Sequence, residues 1–505
     1  MESAPIRCLI NDRDERIDPA TVPSGLTVLD FIRNHLRAPG TKEGCKEGDC
    51  GACVVLVGEL EPAGDRVRYW PVTSCMMPIA EAAGRHLVTV EGLDVGGPNM
   101  AQRLIVEEGA SQCGFCTPGI VVSVMGRLVD GGSPPPTAGG DGPRSDALAD
   151  DVDRALSGHL CRCTGYRSLR SATRRTFEAL REHAGVDGLV SAGELPDSFL
   201  EVPGRLRDLR DAAATGGLDS AAAGPAPATP WVAGGTDLYV QRGETLPAAP
   251  VSSLHRVLAG RPEARGVRLD GESLRIGALT SFEELAQDPL LRARVPAIPQ
   301  FMDLVASWQI RTRSTLGGNL INASPIGDVT ILMLALGAVA VFEDLGGAGE
   351  TRELPLEALY RGYKQLDRRP GEVLIEVRLP DLSASDRVHF EKTSKRRWLD
   401  IATVNSAVRV RLGDGVVEDA RVAVGGVAPI PLFLPEASRA LCGEPSLDRL
   451  QAALEAADAE IAPISDVRGS ADYKRLLVRH QLAAHAATLL PALDADATYR
   501  AVATA

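Results

Sequence analysis

The sequence predicts a multidomain α+β protein. Three observations carry that prediction. At 505 residues the chain is longer than one hydrophobic core can serve. Its first third holds a Gly-rich cysteine loop among short strand-like runs, followed by amphipathic helical sequence. Beyond a stretch near Glu182 to Leu195, where Gly, Ala, Asp and Ser replace an Arg-rich helix, short apolar strands alternate with helices. Aromatic residues make up only 4% of the chain, so a core of Val, Leu, Ala and Ile is expected.

Charge narrows the possible partners. The net charge of −13 argues against nucleic acid, because phosphate binding needs clustered cations. The densest basic run, Lys395-Arg396-Arg397, is followed at once by Trp398 and Asp400. Met1 to Ile10 has neither the apolar stretch nor the cleavage pattern of a signal peptide. The longest apolar run, Val329 to Phe342, is too short to span a bilayer and reads as a buried helix. The expectation is a cytoplasmic protein without membrane contact, whose thiols stay reduced and serve metals or redox chemistry.

Eight of the ten cysteines fall into two groups. Cys45, Cys50 and Cys53, with Cys75 further on, follow the C-x4-C-x2-C…C spacing of a plant-type 2Fe–2S ferredoxin. Three thiolates must converge within nine residues, and Gly44, Gly48 and Gly51 allow the backbone turns this needs. The glycines also let backbone N–H groups approach the sulfurs. Cys75 arrives from the end of a separate strand, after the alternating Val67, Tyr69 and Pro71. A zinc ribbon fits less well, because zinc favours paired C-x2-C knuckles.

The second group is Cys113-Gly-Phe-Cys116 and Cys161-Arg-Cys163. Cys116 precedes Pro118, suited to a first helical turn, and the apolar Ile120 to Leu128. The second pair follows the amphipathic Asp150 to Leu160. Two helix-terminal pairs could hold four thiolates at one centre, and by spacing alone zinc competes with iron here. Cys8, in a first strand, and Cys442, near a helix end, read as buried structural thiols. The eight histidines show no metal-binding spacing.

Two Gly-rich turns mark the second half. Trp231-Val232-Ala233-Gly234-Gly235-Thr236-Asp237-Leu238 reads as a strand, a tight turn and a helix. Thr315-Leu316-Gly317-Gly318-Asn319 is followed by Ser324-Pro325-Ile326-Gly327-Asp328. Such turns can donate backbone N–H groups to a pyrophosphate, although most Gly-Gly turns simply reverse the chain. No G-x-G-x-x-G follows a predicted strand, so a Rossmann fold is not supported.

Three strings together resemble the xanthine oxidase family of molybdenum hydroxylases. They are Cys45…Gly48-Asp49-Cys50-Gly51-Ala52-Cys53, Gln112-Cys113-Gly114-Phe115-Cys116-Thr117-Pro118-Gly119 and Leu160-Cys161-Arg162-Cys163-Thr164-Gly165-Tyr166-Arg167. The resemblance implies a β-grasp 2Fe–2S ferredoxin domain over residues 1–85 and a four-helix 2Fe–2S domain over 86–182. After a linker at 183–196 it implies a two-part α/β FAD-binding domain over 197–384 and a C-terminal α+β flavoprotein subdomain over 385–495, entered through Asp400-Ile401-Ala402. Gln112 and the Cys163 loop would face the pterin of a molybdenum cofactor on a neighbouring domain. Trp231, Val232, Ala233, Gly234, Gly235, Thr236, Asp237 and Leu238 would wrap the FAD diphosphate. Thr315, Leu316, Gly317, Gly318 and Asn319 would contact its ribityl and phosphate region, Asp328 would hydrogen-bond the cofactor, and Ile375 and Lys392 would complete the pocket. Tyr363 would lie near the isoalloxazine, where NAD docks.

The sequence departs from the family pattern at four places. His159 stands where a small polar residue is expected, and reads as a helix-end residue bonded to backbone. Ser168 replaces a usual Pro, and Val305 replaces an aromatic beside the flavin. Gly131 to Pro143 is a Gly/Pro-rich insertion that reads as an exposed, mobile loop.

The resemblance covers nearly the whole chain, yet the family's molybdenum domain is missing from it. The implied arrangement is a molybdopterin-binding large subunit as partner, in a dimer of heterodimers. Electrons would pass from the helical-domain cluster to the ferredoxin cluster, then to FAD and on to NAD or dioxygen. The cofactors supply that chemistry and no catalytic residue is assigned to this chain. Fusion of cluster and flavin domains favours oxidation of hypoxanthine and xanthine to urate in purine catabolism. The alternatives are an aldehyde or N-heterocycle dehydrogenase subunit, and, from a different class, a non-catalytic redox or metal-binding module.

Overall fold

The computed structural model describes residues 5–61, 64–130, 147–215, 229–345 and 349–503. The insertion Gly131 to Pro143 lies outside the described residues. The chain divides into two compact units, Met1–Ala259 with Ser307–Ser314, and Gly260–Ala306 with Thr315–Ala505.

The first unit opens with a five-stranded sheet of β1 (Ile6–Ile10), β2 (Arg13–Ile17), β3 (Val54–Leu60), β4 (Val67–Thr73) and β5 (His86–Val88), in the order β2-β1-β5-β3-β4. Only the β1–β5 pair is parallel. Side chains alternate across a strand, and both faces of β3 are buried. Val55 and Val57 enter one core with Ile10, Val72 and Leu87. Val54 and Leu56 enter another with Ile120, Val124 and Met125 of the Thr117–Val129 helix. Hence the unbroken apolar run Val54-Val55-Leu56-Val57 rather than alternation. Gly126 permits the close approach, since a Cβ there would lie 2.5 Å from Leu56 Cδ2.

Four helices surround that second core: Met100–Glu107, Thr117–Val129, Ala147–Leu156 and Arg167–Leu180. Pro118 sits in the first turn of the second, as its sequence position predicts. Residues 183–196, expected as a linker, instead carry the Val186–Ser191 helix and bury Leu189 and Leu195 in the same core. Further on, β6 (Trp231–Val232) pairs in parallel with β7 (Ser252–Ser253). Val232, Tyr239 and Leu246 pack with the ferredoxin-like sheet's core.

The second unit holds β8 (Val267–Asp270), β9 (Ser273–Gly277), β10 (Val339–Asp344) and β11 (Thr351–Pro355), then the hairpin β12 (Tyr360–Gly362) and β13 (Gln365–Leu366), then β14 (Glu372–Leu379). Five of these form an antiparallel sheet in the order β11-β10-β14-β9-β8. A second antiparallel sheet runs β15 (Asp386–Thr393), β16 (Val404–Gly413), β17 (Val416–Gly425) and β18 (Leu432–Phe433). The Leu447–Glu460 and Ala471–Leu489 helices share its core.

The apolar run Val329 to Phe342 is not one helix. The Asp328–Ala335 helix ends at Gly337, whose φ of +73° reverses the chain into β10. Cys8 is fully buried, and burial pushes its thiol up to about 12. Cys442 caps the Pro435–Leu441 helix and is only half-buried, which corrects its expected burial. Among the described residues no helix is long and apolar enough to cross a membrane.

Candidate functional site

The cysteines come together in pairs. Cys45 meets Cys50, and Cys53 meets Cys75, each pair within hydrogen-bonding reach. Cys116 meets Cys161, and the Sγ atoms of Cys113 and Cys163 lie 3.6 Å apart. Among the described residues no three His, Cys, Asp or Glu side chains converge as a single-ion site. A mononuclear zinc centre needs four ligands about one point. A 2Fe–2S cluster needs two thiolates at each of two irons, and the pairs match that donor set.

One thiol in each pair is held toward the thiolate. The Cys50 thiol, with the N–H groups of Glu47, Cys50 and Asp49, holds Cys45 down to about 5 against the effect of burial. Glu47 N lies 3.3 Å from Cys45 Sγ. Hydrogen bonding from Cys75 lowers Cys53, and the Phe115 N–H followed by Cys163 lowers Cys113. Burial opposes the shift at Cys161, where Thr164 and nearby N–H groups prevail and the net direction is down. The glycine loop supplies these amides as expected, with φ of +79° at Gly48 and +67° at Gly51.

The two cradles are locked to each other. Leu160 N donates to Cys50 O at 3.1 Å, joining the residue before Cys161 to a cysteine of the first cradle. A Cβ on Gly51 would meet Gly158 O at 2.3 Å, and one on Gly119 would meet Gly51 O at 2.2 Å. Beside this contact lies buried His159, held by burial down to about 3. Its N–H donates to Leu156 O at 3.0 Å, at the end of the Ala147–Leu156 helix, while the imidazole finds a side chain, with Nε2 2.7 Å from Ser123 Oγ. Gln309 Nε2 also donates to Ser123 Oγ, at 3.0 Å. Cys113, Cys163 and Gln112 are exposed, whereas Cys53 and Cys75 are buried.

The Trp231–Leu238 turn lies in the same unit. Gly235 has a φ of +78°, and a Cβ there would lie 2.5 Å from Met76 O, next to Cys75. The N–H groups of Gly234, Gly235 and Thr236 find no acceptor among the described residues. Free amides on a tight glycine turn suit a phosphate. The following helix, Leu238–Gln241, is only four residues long, so a phosphate held there would have to be met by the turn's own amides.

The second Gly-rich turn differs. Leu316 N and Gly317 N donate to Thr280 O and Ala278 O, Gly318 N to Thr315 Oγ1, and Asn319 N to Thr315 O. The amides of Leu316, Gly317, Gly318 and Asn319 are already used, so any cofactor contact from these four residues must come from other atoms. In the same unit Lys392 Nζ sits 2.7 Å from Asp328 Oδ2 and donates to Leu304 O. Asn405 Nδ2 donates to Asp328 Oδ1 at 2.6 Å. Asn405 escaped the sequence reading, although a polar residue in the run Val404-Asn405-Ser406-Ala407-Val408 was its signal. Ile375 is buried on β14 and its carbonyl accepts from Ala278 N. Tyr363 is 64% exposed, beside the β12–β13 turn, and Val305 is buried in the core. His389 and His485 meet through their Nδ1 atoms at 2.9 Å, a pairing their sequence separation concealed.

Comparison with known proteins follows the same order along the chain. Residues 13–80 match the family described as 2Fe-2S iron-sulfur cluster binding domain, and residues 89–174 a second 2Fe-2S binding domain. Residues 209–382 match the FAD binding domain in molybdopterin dehydrogenase. Residues 389–489 match the CO dehydrogenase flavoprotein C-terminal domain. Xanthine dehydrogenase of Oryza sativa subsp. japonica is 28% identical over 488 residues, covering 81% of this chain and 34% of that one.

The chain belongs to the xanthine oxidase family of molybdenum hydroxylases.

As a member of the xanthine oxidase family it carries two 2Fe–2S domains and an FAD-binding domain. Each 2Fe–2S match encloses one cysteine group. Aldehyde oxidase 1 of Bos taurus is 27% identical over 524 residues, covering 92% of this chain and 38% of that one. The chain thus spans about a third of the length of these curated relatives. Among solved structures, a carbon monoxide dehydrogenase from Hydrogenophaga pseudoflava is 31% identical, covering 54% of this chain and 91% of that one at a TM-score of 0.46.

Proposed function

We propose that this chain is the electron-draining subunit of a xanthine dehydrogenase-type complex acting on hypoxanthine and xanthine in purine catabolism. Cys113, Cys116, Cys161 and Cys163 hold the cluster that faces a molybdopterin-bearing large subunit. Cys45, Cys50, Cys53 and Cys75 hold the second cluster, and the Trp231–Leu238 turn holds the FAD diphosphate. When bound, the clusters carry single electrons and the flavin gathers two for transfer to NAD.

One observation supports this reading above the others. Within the first unit the cysteine pairs lead from exposed Cys113 and Cys163, through Cys116 and Cys161, across the Leu160–Cys50 hydrogen bond, to buried Cys53 and Cys75. Met76, the next residue, abuts Gly235 of the turn. The exposed end, flanked by Gln112, Phe115 and Leu160, is open to a partner, while the N–H groups around the buried sulfurs stabilise thiolates away from water.

The test is a substrate screen of the chain reconstituted with its co-purifying partner. Hypoxanthine and xanthine should each yield NADH. If an aldehyde yields NADH and neither purine does, the purine assignment fails, and the kinship with an aldehyde oxidase becomes the better guide.

A further inference from the structure

The turn Trp231–Leu238 rests on a buried cation. Arg313 is 8% exposed, and its guanidinium donates from Nε to Gly234 O at 3.0 Å and from Nη2 to Ala233 O at 3.4 Å. The backbone carbonyl of Arg313 fills the space beside Gly234, where a Cβ would lie 2.2 Å away. Next to it, Ser314 Oγ lies 3.0 Å from Thr236 Oγ1. Residues 313 and 314 therefore grip three members of the turn, Ala233, Gly234 and Thr236.

This grip sorts the polar atoms of the turn. The carbonyls of Ala233 and Gly234 are turned toward the guanidinium, while the N–H groups of Gly234, Gly235 and Thr236 are left without an acceptor among the described residues. Buried carbonyls without a donor would otherwise cost free energy, and the turn could relieve that cost by rotating its peptides. Rotation would scatter the free amides.

Burial lowers Arg313 to about 10, with Glu81 countering, so the side chain stays charged at neutral pH. Glu81 is itself fully buried, bonded by Arg85 at 2.9 Å and by the Ser253 hydroxyl, with His255 Nε2 at 4.0 Å. Arg85 also pairs with Glu59 at 2.8 Å. Two arginines and His255 thus face two glutamates. Both hydrogen bonds of the Arg313 guanidinium go to carbonyls of the turn, so its contribution is geometric more than one of net charge.

We propose that Arg313 is a positioning residue for the FAD diphosphate: its guanidinium fixes the Ala233 and Gly234 carbonyls so that the three amides of the turn point at the phosphate oxygens. This rests on the reading that the Trp231–Leu238 turn holds FAD.

The experiment is fluorescence titration of the deflavinated full chain with FAD, for wild type, Arg313→Met and Arg313→Lys, with visible circular dichroism of the clusters recorded in parallel. Arg313→Met should raise the FAD Kd about tenfold or more while the cluster signature persists. Arg313→Lys keeps the charge but loses the fork, and should raise it at least threefold. A Kd within twofold of wild type in Arg313→Met, with clusters intact, overturns the proposal alone. If Arg313→Met loses its cluster signature, Arg313→Lys decides on the same twofold and threefold limits. A wild-type chain that takes up no FAD overturns both the proposal and the reading beneath it.

Discussion

A cysteine that shares its proton with a neighbour is primed to lose it to a metal. In each pair one member is held low, Cys45, Cys53, Cys113 or Cys161, while its partner is pushed up by the shared hydrogen bond or by burial. Metal binding then displaces the remaining proton. Because the pairs are local, Cys113→Ser should empty one cradle and spare the other. Iron per chain should fall from about four to about two, and reduced-state EPR should keep one of two signals. Loss of both signals would show that the cradles do not load independently.

Protonation also sets the acid limit. His86 is buried between Tyr69, whose hydroxyl is 2.8 Å from Nδ1, and Asn11 O, 2.7 Å from Nε2. Burial holds it down to about 4 from an ordinary value of 6.5. The unfolded chain therefore binds this proton first, and the stability His86 contributes above its unfolded pKa is lost as pH falls through that value toward 4. Between pH 7.5 and 5.5 the loss should be about 1–1.5 kcal/mol. Thermal melts should show it in wild type and show a flatter profile in His86→Gln. Equal slopes in both proteins would remove His86 from the account.

At the scale of elements, the loop before β3 and the two close contacts of its Gly51 hold the cradles in register. Gly51 and Gly84 both have positive φ, +67° and +69°. A Cβ on Gly84 meets nothing within 4 Å, whereas one on Gly51 collides with Gly158 O and His159 Nδ1. Gly84→Ala should cost only the left-handed penalty, about 1–2 kcal/mol. Gly51→Ala adds a steric cost of about 1–3 kcal/mol and should disturb the cluster spectrum. Similar melting shifts with unchanged spectra in both variants would contradict a locked Gly51–Gly158 contact.

Element reading from sequence worked where a local signal was strong. Pro118 and the apolar Ile120 to Leu128 marked their helix, and Val67, Tyr69 and Pro71 marked β4. It failed where composition misled. Gly185, Gly188 and Gly193 resembled a linker, yet Leu189 and Leu195 are buried in the helical core. The run Val329 to Phe342 looked uniform, yet one positive-φ glycine divides it into helix and strand. In both cases burial was decided by tertiary contacts that no short window contains.

At the scale of the whole molecule, the unit boundaries do not follow sequence order. Ser307–Ser314 leaves its sequence neighbours for the first unit, where Gln309 reaches Ser123 and Arg313 reaches Gly234. Nothing in a linear reading announces contacts across such separations, so Arg313 and the Gln309–Ser123–His159 group were not legible. The cysteine spacing was, because a cluster imposes it locally. The division of eight cysteines into four pairs was not, since pairing depends on where Cys75 and Cys161 return in space.

The central claim is that those four pairs serve two binuclear iron centres in a chain that also holds one flavin. Iron, acid-labile sulfide, zinc and FAD should be measured together on the purified full-length chain. The expected result is about four irons, about four sulfides and about one FAD per chain, with no zinc. A fully metallated chain with zinc and no labile sulfide would contradict it.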